Sequence, residues 1–263
     1  MQHYQREHLG TLLSIQVDTP HEIWGVFLEI EKRVEAFEQK YSRFRPGNWL
    51  DELNRTGIWI LDEDGYAMVS YSLKIAQQSG GVFDPTILPR LEAIGYGLER
   101  SSKNIVGYDG IKIDAERISL SPWVRIELGG IGKWYLIDRL KEILDSHGYT
   151  RFLIDFGGDI FARGEWQVWL EHPLDSDYIL QVITLTDEAL AGSSGEKRKI
   201  GANGHIIHPK EDQYQSLHHA VFVRSDSALQ ADVHATLCYL LSREAIQAYT
   251  EEHEEGIREI YLV

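Results

Sequence analysis

The chain has 263 residues, of which 41 are acidic and 26 basic, giving a net charge of −15. That balance opposes nucleic acid and anionic membrane as partners, since both are bound through clustered Lys and Arg, and the one short basic run, Glu196-Lys197-Arg198-Lys199, lies beside a loop. A single cysteine, Cys238, excludes an internal disulfide and a cysteine metal cage, and no stretch approaches the roughly 18 uninterrupted apolar residues of a membrane span.

The N-terminal residues lack the apolar run of a signal peptide, so a reducing cytoplasm is the expected compartment. Residues 9–17 alternate like a half-buried strand through Leu13, Ile15 and Val17. Pro20 opens a helix whose apolar positions Ile23, Phe27, Ile30, Val34 and Phe37 recur every three to four residues. A short helix is expected over 48–54 and a longer one over 65–78, with Asp64 as its N-cap and Ser79-Gly80-Gly81 as its end. Two strands follow at 111–113 and 118–120. Glu127-Leu128-Gly129-Gly130-Ile131-Gly132-Lys133 then reads as a strand passing through a tight glycine turn into a helix that carries Ile137, Leu140, Ile143 and Leu144. Further strands are expected at 151–154, 167–171, 178–186 and 219–223, then helices at 228–241 and 244–251 and a last strand at 259–263. Strands occur both in hairpin-like succession and separated by helices, which predicts an α+β fold with mixed, largely antiparallel sheets. No proline- or serine-rich linker divides the chain, so 1–263 reads as one unit.

Five clusters could carry chemistry. At the glycine turn, unpaired N–H groups and the positive end of the helix dipole can meet an anion, and Lys133 adds a full charge. The spacing matches neither a Walker A loop nor the dinucleotide fingerprint, so a plain strand–turn–helix stays open beside a phosphate site. Asp84 precedes Pro85 and is therefore extended, which suits an N-cap as well as a ligand contact. Phe156-Gly157-Gly158-Asp159 can be a tight turn or a close backbone approach to a ligand. In His205-Ile206-Ile207-His208-Pro209 a strand would put His205 and His208 on opposite faces; one His placed for proton transfer fits better than zinc, although His218 and His219 keep zinc open. Asp232 and Thr236 lie four apart on the expected helix and project from one face, as hard oxygen ligands for Mg²⁺ or as a solvated face. Cys238 in the same helix reads as a small buried apolar residue.

Taken in order, these pieces resemble the ApbE-like family, the FAD:protein FMN transferases. The similarity runs through Leu9-Gly10-Thr11, Ser42-Arg43-Phe44-Arg45-Pro46 with Leu53-Asn54, Gly81-Val82-Phe83-Asp84-Pro85-Thr86, the turn at 129–133 with Asp138, Gly157-Gly158-Asp159, Ala189-Leu190-Ala191 with Ser194-Gly195, His205-Ile206-Ile207, and Ala231-Asp232 with Ala235-Thr236. The resemblance implies an ApbE-like, T-fold-related architecture and a substrate, FAD, bound with Mg²⁺ against its pyrophosphate. Positions matching the family's metal ligands are Asp232, Thr236 and the carbonyl of Gly130. Those matching its flavin contacts are Leu9, Phe44, Val82, Phe83, Asp84, Glu127 and Lys133, and His205 matches a histidine tied to transfer. The implied reaction moves FMN from FAD to a Thr or Ser hydroxyl of an acceptor flavoprotein and releases AMP, with His205 and Lys133 as the catalytic pair.

The chain departs from the family pattern at several places. Trp134 stands where Gly is usual and is expected either to crowd a cofactor or to stack on it. Glu127 replaces Asp, His208 replaces the Asp of His-Ile-Ile-Asp-Pro, and Ala191-Gly192-Ser193-Ser194-Gly195 is one residue longer than Ala-Thr-Ser-Gly. Many relatives carry a lipid-bearing Cys near the start, which this sequence lacks. Three readings follow: a Mg²⁺-dependent transferase, a hydrolase that splits FAD into FMN and AMP with the same site, and a flavin-binding relative with little activity.

Overall fold

The computed structural model describes residues 1–96, 106–114, 116–196, 199–200, 203–204, 206–211, 216–252 and 256–263. An antiparallel hairpin, β1 (Gln2–His8) and β2 (Thr11–Val17), leads into helix α1 (Trp24–Tyr41). Helix α2 (Trp49–Thr56), strand β3 (Ile58–Ile60), helix α3 (Glu63–Gln78) and helix α4 (Leu88–Ala93) follow, then strands β4 (Ile111–Ile113) and β5 (Arg117–Leu120). Helix α5 (Gly132–Ser146) precedes strands β6 (Phe152–Phe156), β7 (Ile160–His172) and β8 (Asp175–Ser193). After the short pair β9 (Lys199–Ile200) and β10 (Asn203–Gly204) come β11 (Val221–Ser225), α6 (Ala228–Leu240), α7 (Arg243–Glu252) and β12 (Ile257–Leu262).

A seven-stranded sheet runs β1-β2-β6-β7-β8-β11-β12, and a three-stranded sheet runs β3-β5-β4. Every strand pair among the described residues is antiparallel, as the α+β reading expects. The large sheet is buried on one face against α1, α5 and α6, and the reason is periodicity. Leu13 and Ile15 of β2, Phe152, Ile154 and Phe156 of β6, and Val221 and Val223 of β11 point one way at period two. They meet Phe27, Ile30 and Val34 of α1, Ile137, Leu140 and Leu144 of α5, and Val233 and Leu237 of α6. The alternate positions Leu153, Ile160 and Leu190 join a second cluster with Val168, Leu170, Ile183 and Leu185.

Three expectations change. Leu9 is not in a strand: with Gly10 it forms the two-residue turn between β1 and β2, at φ +51° and +73°, the backbone that a right-twisted hairpin favours. The N-cap of α3 is Asp62, whose carboxylate accepts from Gly65 N–H at 2.9 Å, while Asp64 instead accepts from Arg33 and Tyr135. The residues ahead of the glycine turn form no strand. The Asn54 side chain substitutes for one, accepting from Ile126 N–H at 2.7 Å and donating to its carbonyl at 2.9 Å, and Glu127 N–H donates to the Pro85 carbonyl. Among the described residues no helix is long and apolar enough to cross a membrane.

Candidate active site

The glycine turn at the mouth of α5 is built on space and not on unusual backbone angles. None of Gly129, Gly130 and Gly132 has positive φ. A Cβ on Gly129 would instead fall 2.2 Å from Glu127 Oε1, because that oxygen accepts the Gly129 N–H at 2.7 Å. Glu127 thus turns its carboxylate back onto the turn, with the Arg43 guanidinium 3.6 Å from the same oxygen. Arg43 lies over the rings of Phe44 and Tyr96, at 4.8 and 4.2 Å, which ties the exposed Phe44 to this corner. The Phe83 ring packs over Gly130, and Val82 beside it is half-buried.

Asp84 is not a helix cap: the Ile87 position precedes α4, and the Asp84 carboxylate accepts from Thr86 N–H at 2.8 Å, Thr86 Oγ1 at 2.6 Å and Tyr108 N–H at 3.2 Å. Burial pushes its carboxyl above the ordinary range, against the pull of those hydrogen bonds. This turn also supplies the Pro85 carbonyl that pins Glu127, so the segments 82–86 and 127–130 are one construction.

Lys133, in the first turn of α5, extends its ammonium to the buried Asp159 carboxylate. Asp159 is placed by the turn between β6 and β7. Gly157 there has φ +70°, and its Hα face is covered by Thr11, whose Oγ1 would stand 2.4 Å from a Cβ. Gly157 N–H donates to the Leu12 carbonyl at 2.9 Å, so the Leu9-Gly10 hairpin, the double glycine and the α5 mouth share one end of the large sheet.

Asp232 faces the same ammonium from α6. Its residue is 7% exposed, and burial pushes its carboxyl up to about 7, with the charge of Lys133 acting in the opposite direction. Among the described residues its carboxylate takes part in no hydrogen bond. One turn further, Thr236 Oγ1 lies 3.2 Å from Ser193 Oγ at the end of β8. The start of α6 is itself fastened to α5, because Asp138 accepts from the N–H groups of Ala228 and Leu229 at 3.1 and 3.2 Å. Cys238, deeper in α6, is buried and its thiol is pushed up to about 12 by burial, as befits an inert core residue.

His205 lies outside the described residues. His208 is buried, with Nδ1 accepting from Lys210 N–H at 3.2 Å, and burial together with Arg90 and Lys210 holds its imidazole below the ordinary value. The loop that carries it is tied to α4 and the end of α3 through Arg90, which donates to the carbonyls of Pro209 and Glu211, and through Lys210, which donates to Gly80. Trp134 does not enter the site from above: it is 2% exposed in the main core, with the Lys133 ammonium 4.5 Å from its ring centroid. The expected crowding of, or stacking on, a cofactor is therefore corrected to a core role.

The structure brings Lys133, Asp232, Thr236, Gly130, Phe83, Asp84, Glu127 and Phe44 into one connected region and sets Leu9 at its edge. Sequence reasoning missed Asp159 as the partner of Lys133, and Asn54 and Arg43 as supports of the turn. A Gly-Gly-Asp closing a strand was the available signal for Asp159; Asn54 and Arg43 stood only within the family motifs, and their partners, far along the chain, could not be read from them.

Comparison with known proteins follows the same pieces. The ApbE family profile matches residues 9–261. The protein named FAD:protein FMN transferase from Escherichia coli K12 is 22% identical over 269 residues, covering 89% of this chain and 75% of that protein. Its namesake from Treponema pallidum is 24% identical, covering 95% and 82%. The solved flavin transferase ApbE from Vibrio cholerae superposes with a TM-score of 0.87 at 20% identity, covering 99% of this chain and 96% of that one. The ApbE protein from Thermotoga maritima gives 0.87 at 21% identity, covering 100% and 94%. With a matched span that takes in the hairpin turn, both glycine motifs and the Asp232–Thr236 helix, the chain belongs to the ApbE family.

Proposed function

We propose that this protein is a Mg²⁺-dependent FAD:protein FMN transferase, which moves FMN from FAD onto a Thr or Ser hydroxyl of an acceptor flavoprotein and releases AMP. One observation carries the reading: a lysine at a helix N-terminus pairs with one buried carboxylate and acts electrostatically on a second, which takes part in no hydrogen bond among the described residues. The names of the relatives support the reaction class.

The donor set fits a small hard cation. Asp232 offers a buried carboxylate, Thr236 a hydroxyl one turn away and Gly130 a carbonyl at the α5 mouth. Mg²⁺ commonly takes one or two protein carboxylates and completes its shell with water and substrate phosphate. When bound, such an ion supplies charge neutralisation to a pyrophosphate. The chain's own residues do the rest. Lys133 and the first-turn N–H groups of α5 attract the phosphate oxygens and neutralise charge growing on the departing AMP. Phe83, Val82 and Phe44 present apolar and aromatic surface to flavin or adenine rings. Glu127, fixed by the Gly129 N–H and flanked by Arg43, presents its second oxygen to the ligand. His205 is the candidate to accept the acceptor's hydroxyl proton.

The test is incubation with FAD and Mg²⁺, with and without an acceptor domain carrying an Asp-Gly-x-Thr-Gly-Ala-Thr-like segment, following AMP and protein-bound flavin. AMP together with covalent flavin is the expected result. AMP without bound flavin establishes the hydrolase, and retained flavin with no AMP establishes a binding protein.

A further inference from the structure

We propose that Asp159 is a positioning residue that holds the Lys133 ammonium away from Asp232, so that the Asp232 carboxylate stays open to a divalent cation. The proposal rests on the reading of Asp232 and Thr236 as the metal-binding pair.

Two buried carboxylates, Asp159 and Asp232, face one ammonium, Lys133, from opposite elements: the β6–β7 turn and helix α6. A lysine stem is four flexible carbons with a compact charge at its tip, so the ammonium can settle on either carboxylate. It settles on Asp159. Asp159 can hold it because its own backbone is fixed: its carbonyl accepts the Phe156 N–H at 2.8 Å, and Gly158 N–H donates to Asp155 at 2.8 Å. Beneath, the Trp134 ring receives the ammonium face-on from the core side, a second guide on the stem.

The consequence concerns Asp232. An ammonium seated on that carboxylate would have to be displaced before a cation could bind, and in a buried setting displacing one charged partner is costly. With Lys133 parked on Asp159, its donors do not occupy the Asp232 oxygens. Two carboxylates and one ammonium leave a net negative site, which suits the approach of a divalent ion. Gly-Gly-Asp at the end of β6 then has a task beyond turning the chain.

The experiment uses Mn²⁺ as the probe, titrated against the full chain and followed by the electron paramagnetic resonance of the free ion, with and without FAD. Wild type is compared with Asp159→Asn, Lys133→Met and the double variant. Asp159→Asn is expected to weaken Mn²⁺ binding by about 10- to 100-fold, the range for residues that support a metal ligand from behind. Lys133→Met is expected to bind at least as tightly as wild type. The double variant is expected to match Lys133→Met, because no ammonium is left to release. Asp159→Ser runs in the same cycle if the Asn variant does not fold. An unchanged affinity in Asp159→Asn overturns the proposal, and so does an equal loss in both Lys133 backgrounds, which would make Asp159 only a nearby charge. Wild type that folds yet binds no Mn²⁺ in either arm removes the metal reading and this proposal with it; wild-type binding without coupling removes this proposal alone.

Discussion

Asp232→Asn should make the metal-free protein more stable at alkaline pH while removing Mg²⁺-dependent turnover. The carboxyl of Asp232 is raised by burial from an ordinary 3.8 to about 7. At ~1.4 kcal/mol per pH unit, a rise of that size corresponds to ~4 kcal/mol. Its sign follows from linkage. The folded state binds the proton more tightly than the unfolded chain, so the contribution is fully present below the unfolded value and is lost as pH rises through about 7. Wild type therefore carries the cost of an ionised buried carboxylate at pH ~8 but not at pH ~4, whereas an amide of the same shape carries it at neither. For a chain of this size the difference amounts to a Tm gain on the order of 10 °C. Scanning calorimetry in chelator at the two pH values is the assay, with the gap between variant and wild type closing at the acid end. Adding Mg²⁺ at the alkaline end should raise wild type and leave the variant unmoved, since a ligand stabilises only the state that binds it. A variant equal to or less stable than wild type in chelator at pH ~8 would refute the claim that desolvation dominates at this carboxylate.

Two further substitutions test the supports of the site. Trp134→Ala empties a large buried position and should cost about 3–5 kcal/mol; FAD affinity measured below the unfolding range should not improve, and tighter binding would return Trp134 to the cofactor's path. Asp138→Ala removes the acceptor for two N–H groups at the start of α6 and should cost about 1–3 kcal/mol by urea unfolding. Asp138→Asn, which keeps one acceptor oxygen, should lose less, and equal losses would argue against the capping role.

What the sequence discloses and what it conceals divide along the distance between partners. The repeat Phe27, Ile30, Val34 and Phe37 announces α1 because a helix meets its core at a period set within the segment itself, and all four are buried. Asn48 and Ser79-Gly80-Gly81 were readable as helix ends for the same reason, since a cap acts within a turn of its own residue. Strands β1 and β3 were not, because edge strands face water: only two of seven β1 residues are buried and none of three in β3, so neither shows the alternation that marks a half-buried strand. The N-cap of α3, expected at Asp64, falls at Asp62. The choice is made by Arg33 and Tyr135, which engage Asp64 from 31 and 71 residues away. The site repeats this division at higher stakes. Asp232 and Thr236 could be paired from helical spacing alone, and Lys133 could be placed at a helix mouth. That one ammonium would be shared between α6 and the turn after β6 depends on how the sheet lays these elements side by side. Chemistry that depends on such an arrangement, here the proposed division of two carboxylates between a lysine and a metal ion, becomes readable only once the fold has set the distances.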